Sequence, residues 1–243
     1  MVKQSLARLY LLPNSIGSPA AAVSSGSFVT PMMCEICCSV KLLFAEDIKS
    51  ARRLFRTCGY TGDFSEMEIL PLNEHTIKSQ NHDFVERLIQ MGAGVIVSDA
   101  GIPCVADPGS GLVALAHQRG IEVVPMSGPS SIILTLAASG LGGQQFHFQG
   151  YLPKDLSERR KKIRQMEHES AGGVTQIFMD TPYRNMQVFD DILMNCKKNW
   201  LLCIGCEVTT EKGFVSTMTI EEWQRKKPDL HKRPVIFALG RPE

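Results

Sequence analysis

The sequence predicts an α/β fold organised as two domains, and three observations carry that expectation. Strand-like apolar runs alternate with helix-period segments along the chain. One run, Gly94–Ser98, is nearly all apolar, as a strand covered on both faces must be. Two loops of small and polar residues follow directly on strands, the place where open α/β sheets bind ligands. A chain of 243 residues accommodates one large or two modest domains at ~100–200 residues each. The change in character beyond residue 122 suggests domains over 1–122 and 123–243.

The elements are read in order. Leu9–Leu12 is the first strand, and 17–31, rich in Gly, Ser, Ala and Pro, is a loop. A helix around Met33–Val40 and a strand at Leu42–Ala45 follow. From Asp47 to Cys58 a helix places Ile48, Ala51, Leu54, Phe55 and Cys58 on one face and Lys49, Arg52, Arg53 and Arg56 on the other; Gly59 ends it. Glu68–Leu72 is a strand, Asp83–Met91 a helix closed by Gly92. After Gly94–Ser98, Asp107 suits an N-cap and Pro108 the first helical position of the next helix, which Gly120 closes. Ile121–Pro125 is a strand, and Ser127–Ser131 opens a helix ending near Gly140. The second half reads as strands at Phe146–Tyr151, Gln176–Met179, Trp200–Cys206, Phe214–Met218 and Val235–Leu239. A helix lies at about Asn185–Asn195, and the stretch Lys154–Arg164 is basic.

Composition removes several function classes. Lys+Arg total 26 against 25 Asp+Glu, a formal charge of +1, so nucleic-acid binding must use local patches rather than a global field. No apolar run approaches the ~18 residues of a membrane span. Lys3 and Arg8 precede an apolar stretch and Ala20–Ala22 follow it, but Leu9–Leu12 is shorter than the ~7–15-residue core of a signal peptide. A cytoplasmic protein without a membrane anchor is expected. Eight cysteines are present. Cys34, Cys37 and Cys38 have the spacing of a helical core stripe. Cys203 and Cys206, three apart on a strand, point to opposite faces and make a poor chelate. Structural zinc is not expected.

The loops Ser98-Asp-Ala-Gly-Ile-Pro and Ser127-Gly-Pro-Ser-Ser carry the chemistry. Ala100 and Gly101 allow close approach of a ligand to the backbone. Asp99 can accept hydrogen bonds from a ribose or an amine. Ser130 and Ser131 stand where a helix N-terminus offers free N–H groups to a carboxylate. On the residues alone, both loops are equally ordinary βα turns. There is no GxxxxGK[ST] and no GxGxxG, which disfavours a P-loop nucleotidase or a dinucleotide-binding enzyme.

Longer patterns resolve the ambiguity. Ser98-Asp-Ala-Gly-Ile-Pro-Cys-Val-Ala-Asp-Pro-Gly109 resembles the SDAGxPxxxDPG motif of the tetrapyrrole-methylase superfamily. Val124-Pro-Met-Ser-Gly-Pro-Ser-Ser is similar to the VPxPGPSA of its small-subunit rRNA (cytidine 2′-O-ribose) methyltransferase branch. Ala45-Glu-Asp-Ile-Lys-Ser-Ala-Arg-Arg-Leu, Ala137-Ala-Ser-Gly-Leu, Phe148-Gln-Gly-Tyr-Leu-Pro, Phe178-Met-Asp-Thr-Pro-Tyr-Arg and Cys206-Glu-Val-Thr resemble further motifs of that branch, in order. The family's N-terminal PxGNLxDIT is here Pro13-Asn-Ser-Ile-Gly-Ser. Its HEHN is here Asn73-Glu-His-Thr, and its usual C-terminal helical extension has no counterpart in the sequence.

The resemblance implies two α/β domains with S-adenosylmethionine held in a cleft between them, and a homodimer. It implies cofactor contacts at Asp99, Ala100, Gly101, Val105, Ala106, Ser130, Ser131, Asp180 and Thr181, and rRNA as substrate. Methyl transfer from a sulfonium is an in-line displacement that depends mainly on alignment. A ribose hydroxyl acceptor gains from a general base; Glu46 is the first candidate and Glu207 the second, since both end expected strands, although surface or capping roles suit them equally. His75 is a weaker candidate. Two basic faces are candidates for RNA phosphates: Lys49, Arg52, Arg53 and Arg56, and Lys154, Arg159, Arg160, Lys161, Lys162 and Arg164. Each alone also reads as a solvated face. The alternatives are methylation of a tetrapyrrole or another small molecule, and a non-catalytic S-adenosylmethionine-binding protein.

Overall fold

The computed structural model describes residues 7–16, 28–77 and 79–241. Lys3, Ala20–Ala22 and most of the expected 17–31 loop lie outside them. The chain divides into two compact units, Met1–Pro129 and Ser130–Glu243.

The first unit is a parallel sheet covered on both faces. Its strands are β1 (Arg8–Leu12), β2 (Leu42–Ala45), β3 (Glu68–Pro71), β4 (Ala93–Val97) and β5 (Glu122–Pro125), in the order β3-β2-β4-β1-β5. Every pairing is parallel. β5 pairs with β1 from Arg8↔Glu122 to Leu11↔Pro125. The first unit therefore keeps this strand, and the division falls at Pro129/Ser130 rather than at the 122/123 expected from sequence.

Alternation along the strands sorts the side chains. Leu43, Ala45, Val95 and Val97 pack with α1 (Pro31–Ser39) and α2 (Ile48–Thr57) in one core. Leu42, Phe44 and Ile96 pack with α3 (Gln80–Met91) and α4 (Ser110–Gln118) in the other. Asp47 caps α2 by accepting from the Ser50 N–H, and Gly92 ends α3 in the left-handed conformation. In α1, Cys37 is buried, Cys34 half-buried and Cys38 exposed, so the thiol stripe is narrower than its spacing implied.

One helix start differs from expectation. α4 begins at Ser110 with Gly109 in the cap position, and its cap makes no side-chain hydrogen bond. Asp107 and Pro108 precede the helix, because the chain runs Cys104–Gly109 through left-handed positions before it can turn helical.

The second unit is a mixed sheet of β6 (Phe146–Tyr151), β7 (Thr175–Met179), β10 (Val235–Gly240), β8 (Leu201–Cys206) and β9 (Phe214–Thr219), in that order. β6 and β7 are parallel; the other pairs are antiparallel. Phe178, Leu202, Ile204, Cys206, Val235, Phe237 and Leu239 face the core formed with α6 (Leu156–Ala171), α7 (Asn185–Asn195) and α8 (Ile220–Arg225). Cys203, Ile236 and Ala238 face α5 (Ser131–Ala138). Cys203 and Cys206 thus take opposite faces. Gly205 lets α5 approach β8: a Cβ there would lie 2.2 Å from the Thr135 hydroxyl oxygen.

The basic stretch Lys154–Arg164 is largely helical. Asp155 caps α6 by accepting from the Glu158 N–H, while Ile163 and Met166 supply the buried stripe. Among the described residues no helix is long and apolar enough to cross a membrane.

Candidate functional site

In a parallel sheet every strand ends at the same edge, so the loops after β1, β2 and β4 gather there. The Ser98–Gly109 loop after β4 is backbone-strained. Gly101 (φ 71°), Cys104 (67°), Ala106 (63°) and Gly109 (123°) all have positive φ. Cys104 and Ala106 carry side chains that disfavour this region, at roughly 1–3 kcal/mol per position. Such a conformation persists only where the surroundings fix it.

Asn14 does much of that fixing. Its backbone bridges Gly101 in both directions, N–H to Gly101 carbonyl at 2.8 Å and Gly101 N–H to its own carbonyl at 3.1 Å. Its Nδ2 donates to the carbonyls of Ser98 (3.1 Å) and Asp99 (3.2 Å) and to the Ser50 hydroxyl (2.9 Å). Ser50 in turn donates to the Asp99 carbonyl at 3.3 Å. The side chain is buried. Sequence reasoning missed Asn14, because Pro-Asn after a strand signals only a turn.

Five carboxylates lie on or near this loop: Asp99 and Asp107 within it, and Glu46, Asp47 and Glu74 beside it. Glu46 Oε2 accepts the Asp99 N–H at 3.3 Å. Burial and then the charges of Asp99, Glu74 and Asp47 raise the Glu46 pKa, against the bond from Asp99. Burial and the Asp47 charge raise that of Asp99. Asp107 is pushed up to about 7 by burial and by Glu46 and Asp99, against a hydrogen bond from Ser98. The principal charges acting on Glu46, Asp99 and Asp107 are other carboxylates. Carboxylates held near one another without a cation favour a positively charged ligand.

Asp99, Ala100, Val105 and Ala106 are exposed and Gly101 is buried. In the second unit, Ser130 caps α5 by accepting from the Ile133 N–H at 3.4 Å, and Ser131 opens the helix. Asp180, at the end of β7, is buried; it accepts the Thr181 N–H at 2.7 Å and lies 3.3 Å from Arg184. Thr181 is exposed.

The two candidate bases are in different situations. Glu46 has no ion-pair partner among the described residues, and burial raises its pKa, which strengthens it as a proton acceptor. Glu207 sits at φ 45° with one carboxylate oxygen 2.9 Å from Arg233 Nε and 2.6 Å from its Nη2. That pair occupies the Glu207 carboxylate within its own unit, an engagement that Glu46 lacks. His75 is exposed, 3.6 Å from Glu74.

The basic faces also sort. Arg159 is fully buried: its Nε donates to Asp191 at 2.7 Å and its Nη1 to the carbonyls of Pro153 and Lys154. It therefore cannot reach RNA, contrary to the sequence expectation, because it lies on the inward face of α6 against α7. Arg160 is half-exposed, 3.7 Å from the same Asp191. Lys154, Lys161 and Arg164 are exposed. In the first unit Arg52 and Arg56 lie over the Phe64 ring at 5.3 and 4.6 Å, while Lys49 and Arg53 are exposed.

No family model matches the chain. Its fold is that of the tetrapyrrole methyltransferases. The methyltransferase CobJ superposes with a TM-score of 0.61 at 16% identity, covering 96% of this chain and 93% of that one. A uroporphyrin-III C-methyltransferase from Thermus thermophilus, complexed with S-adenyl homocysteine, gives 0.57 at 15%, covering 96% and 97%. In sequence the chain is related to proteins named ribosomal RNA small subunit methyltransferase I. It is 28% identical over 219 residues to that of Haemophilus influenzae (88% of this chain, 75% of the relative). It is 31% identical over 180 residues to that of Xylella fastidiosa (74% and 63%), and 28% over 238 residues to that of Escherichia coli O157:H7 (97% and 78%). The chain thus spans between about three fifths and four fifths of these relatives.

Proposed function

We propose that this protein is an S-adenosylmethionine-dependent methyltransferase acting on small-subunit ribosomal RNA, at a ribose 2′-hydroxyl. The observation that carries the reading is the strained Ser98–Gly109 loop with its cation-free carboxylates, in a chain related to small-subunit rRNA methyltransferases. The cofactor suits this donor set, because it carries a sulfonium and an ammonium. Asp99, Ala100, Gly101, Val105 and Ala106, with Ser130, Ser131 and Thr181, are the residues proposed to hold it. Bound there, it supplies an activated methyl group.

The protein contributes alignment and proton handling. Alignment of reacting groups supplies roughly 7–11 kcal/mol in favourable cases. Asn14 holds the loop that positions the donor. Glu46 takes the proton from the ribose hydroxyl. Asp180, fixed between the Thr181 N–H and Arg184, sets the turn that presents Thr181. Lys49, Arg52, Arg53, Lys154, Arg160 and Lys161 are proposed to meet phosphates without reading bases. A homodimer and a cytoplasmic location complete the proposal.

The test is transfer of a labelled methyl group from S-adenosylmethionine to undermethylated small ribosomal subunits, followed by mass spectrometry of the nucleosides. A 2′-O-methylated nucleoside is the expected product. Label in a tetrapyrrole and none in RNA would replace the substrate; no transfer with intact cofactor binding would make the protein a non-catalytic binder.

A further inference from the structure

Tyr183 is an aromatic side chain that the fold presents to water. It is 72% exposed, yet it stands on a firmly held turn. Asp180 accepts the Thr181 N–H at 2.7 Å, the Arg184 N–H returns to the Thr181 carbonyl at 2.9 Å, and Arg184 Nη2 donates to the Pro153 carbonyl at 3.0 Å. On the far side the Lys232 N–H donates to the Pro182 carbonyl at 3.0 Å. Lys232 takes a left-handed φ of 59°, an uncommon conformation for a residue with a side chain. Its ammonium lies 5.8 Å from the centre of the Tyr183 ring.

The neighbouring charges are already occupied. Arg184 is paired with Asp180 and Arg233 with Glu207. Among the described residues no carboxylate lies within ion-pairing distance of Lys232. An exposed aromatic ring on a hydrogen-bonded turn, flanked by a cation without an ion-pair partner, is the arrangement by which proteins stack an unpaired base and hold its phosphate.

We propose that Tyr183 and Lys232 form a stacking platform for one unstacked base of single-stranded RNA, with Lys232 meeting the adjoining phosphate. The platform lies next to Thr181 in the chain, so the captured nucleotide is held beside a proposed cofactor contact. The inference rests on the RNA reading and adds to it the class of substrate: a looped-out or single-stranded nucleotide rather than a paired one.

The probe is a fluorescently labelled, cytidine-rich, single-stranded 12-nucleotide RNA, titrated with the full chain at several salt concentrations. Y183A and Y183L are expected to weaken binding about five- to a hundredfold, whereas Y183F and Y183W hold it near the wild-type value. Melting temperature and S-adenosylmethionine affinity stay unchanged in all four, because the ring buries little. K232Q lowers the slope of log K against log salt by about 0.7, and Y183A leaves that slope alone. Equal loss in Y183F and Y183A would make the hydroxyl rather than the ring the contact and overturn stacking. Unchanged binding in Y183A overturns the platform while leaving the RNA reading intact. A change in solution mass in Y183A overturns it in favour of a subunit contact. A wild-type chain that binds S-adenosylmethionine but no RNA overturns the RNA reading, and the platform with it.

Discussion

Asn14 donates from Nδ2 to the carbonyl oxygen of Asp99 at 3.2 Å. This bond, with its companions to Ser98 and Ser50, ties the end of the first strand to the loop beyond the fourth. Replacing Asn14 by Asp places a carboxylate against two carbonyl oxygens, and replacing it by Ala removes the side-chain donor to the Ser98 carbonyl and leaves that of Asp99 with Ser50 alone. A stability loss of about 1–3 kcal/mol is expected, together with a weaker cofactor complex. Denaturant unfolding and cofactor titration of both variants check it. Full cofactor affinity in a folded N14A protein would separate loop fixation from binding.

The Asp107 carboxyl gives a pH signature. Its folded pKa, raised to about 7, lies above its unfolded value near 3.9. The native state therefore binds more protons between those limits, and the stability this group contributes at low pH is lost as pH rises through 7. D107N should flatten the fall in stability between about pH 4 and 7. It should gain about 1 kcal/mol at pH 8, after discounting for the water that reaches this half-exposed group. Urea unfolding at a series of pH values measures the slope; parallel curves for both proteins would contradict the assignment.

A cation bound among Glu46, Asp99 and Asp107 lowers their pKa values again. Affinity for S-adenosylmethionine should therefore rise from pH 6 to pH 8 more steeply than affinity for S-adenosylhomocysteine, whose sulfur is neutral. D107N should narrow the difference. Identical pH profiles for the two ligands would place the sulfonium away from this cluster.

Basic residues that look alike in sequence should behave differently. R159M removes the close partner of the buried Asp191 and leaves it only the half-exposed Arg160 at 3.7 Å, at a cost of about 3 kcal/mol. Neutralising the exposed Arg53, Lys154 and Lys161 together should leave the melting temperature unchanged. It should reduce the salt slope of RNA binding by about 2–3. A stable R159M protein with reduced salt dependence would reverse this division.

What the sequence revealed depended on how local each signal was. β2, β6 and α7 fall where expected, since alternation and period are carried within each segment. The basic run 154–164 hid a helix, because its buried positions Arg159, Ile163 and Met166 include an arginine that reads as solvent-facing. The start of α4 moved because Asp107-Pro108 is a good helix opening by local rules, and the strained loop before it overrides them. Glu46 and Glu207 were equivalent strand-end carboxylates in sequence; only Arg233, 26 residues away, separates them. Asn14 was illegible for the same reason, since its side-chain partners across the sheet edge lie 36 to 85 residues distant.

The central claim is that this chain binds S-adenosylmethionine through the Ser98–Gly109 loop. G101V is a poor probe of it, because a valine at φ 71° strains the backbone as well as filling space. Glu46 and Asp107 offer the cleaner pair. Isothermal titration of S-adenosylmethionine into the wild-type protein, and into the E46Q/D107N double variant, is the most direct measurement. The account predicts saturable binding at a single site, accompanied by a higher melting temperature, and at least tenfold weaker binding in the folded double variant. Absence of heat and of any melting shift at millimolar S-adenosylmethionine, or unchanged affinity in the double variant, would contradict it.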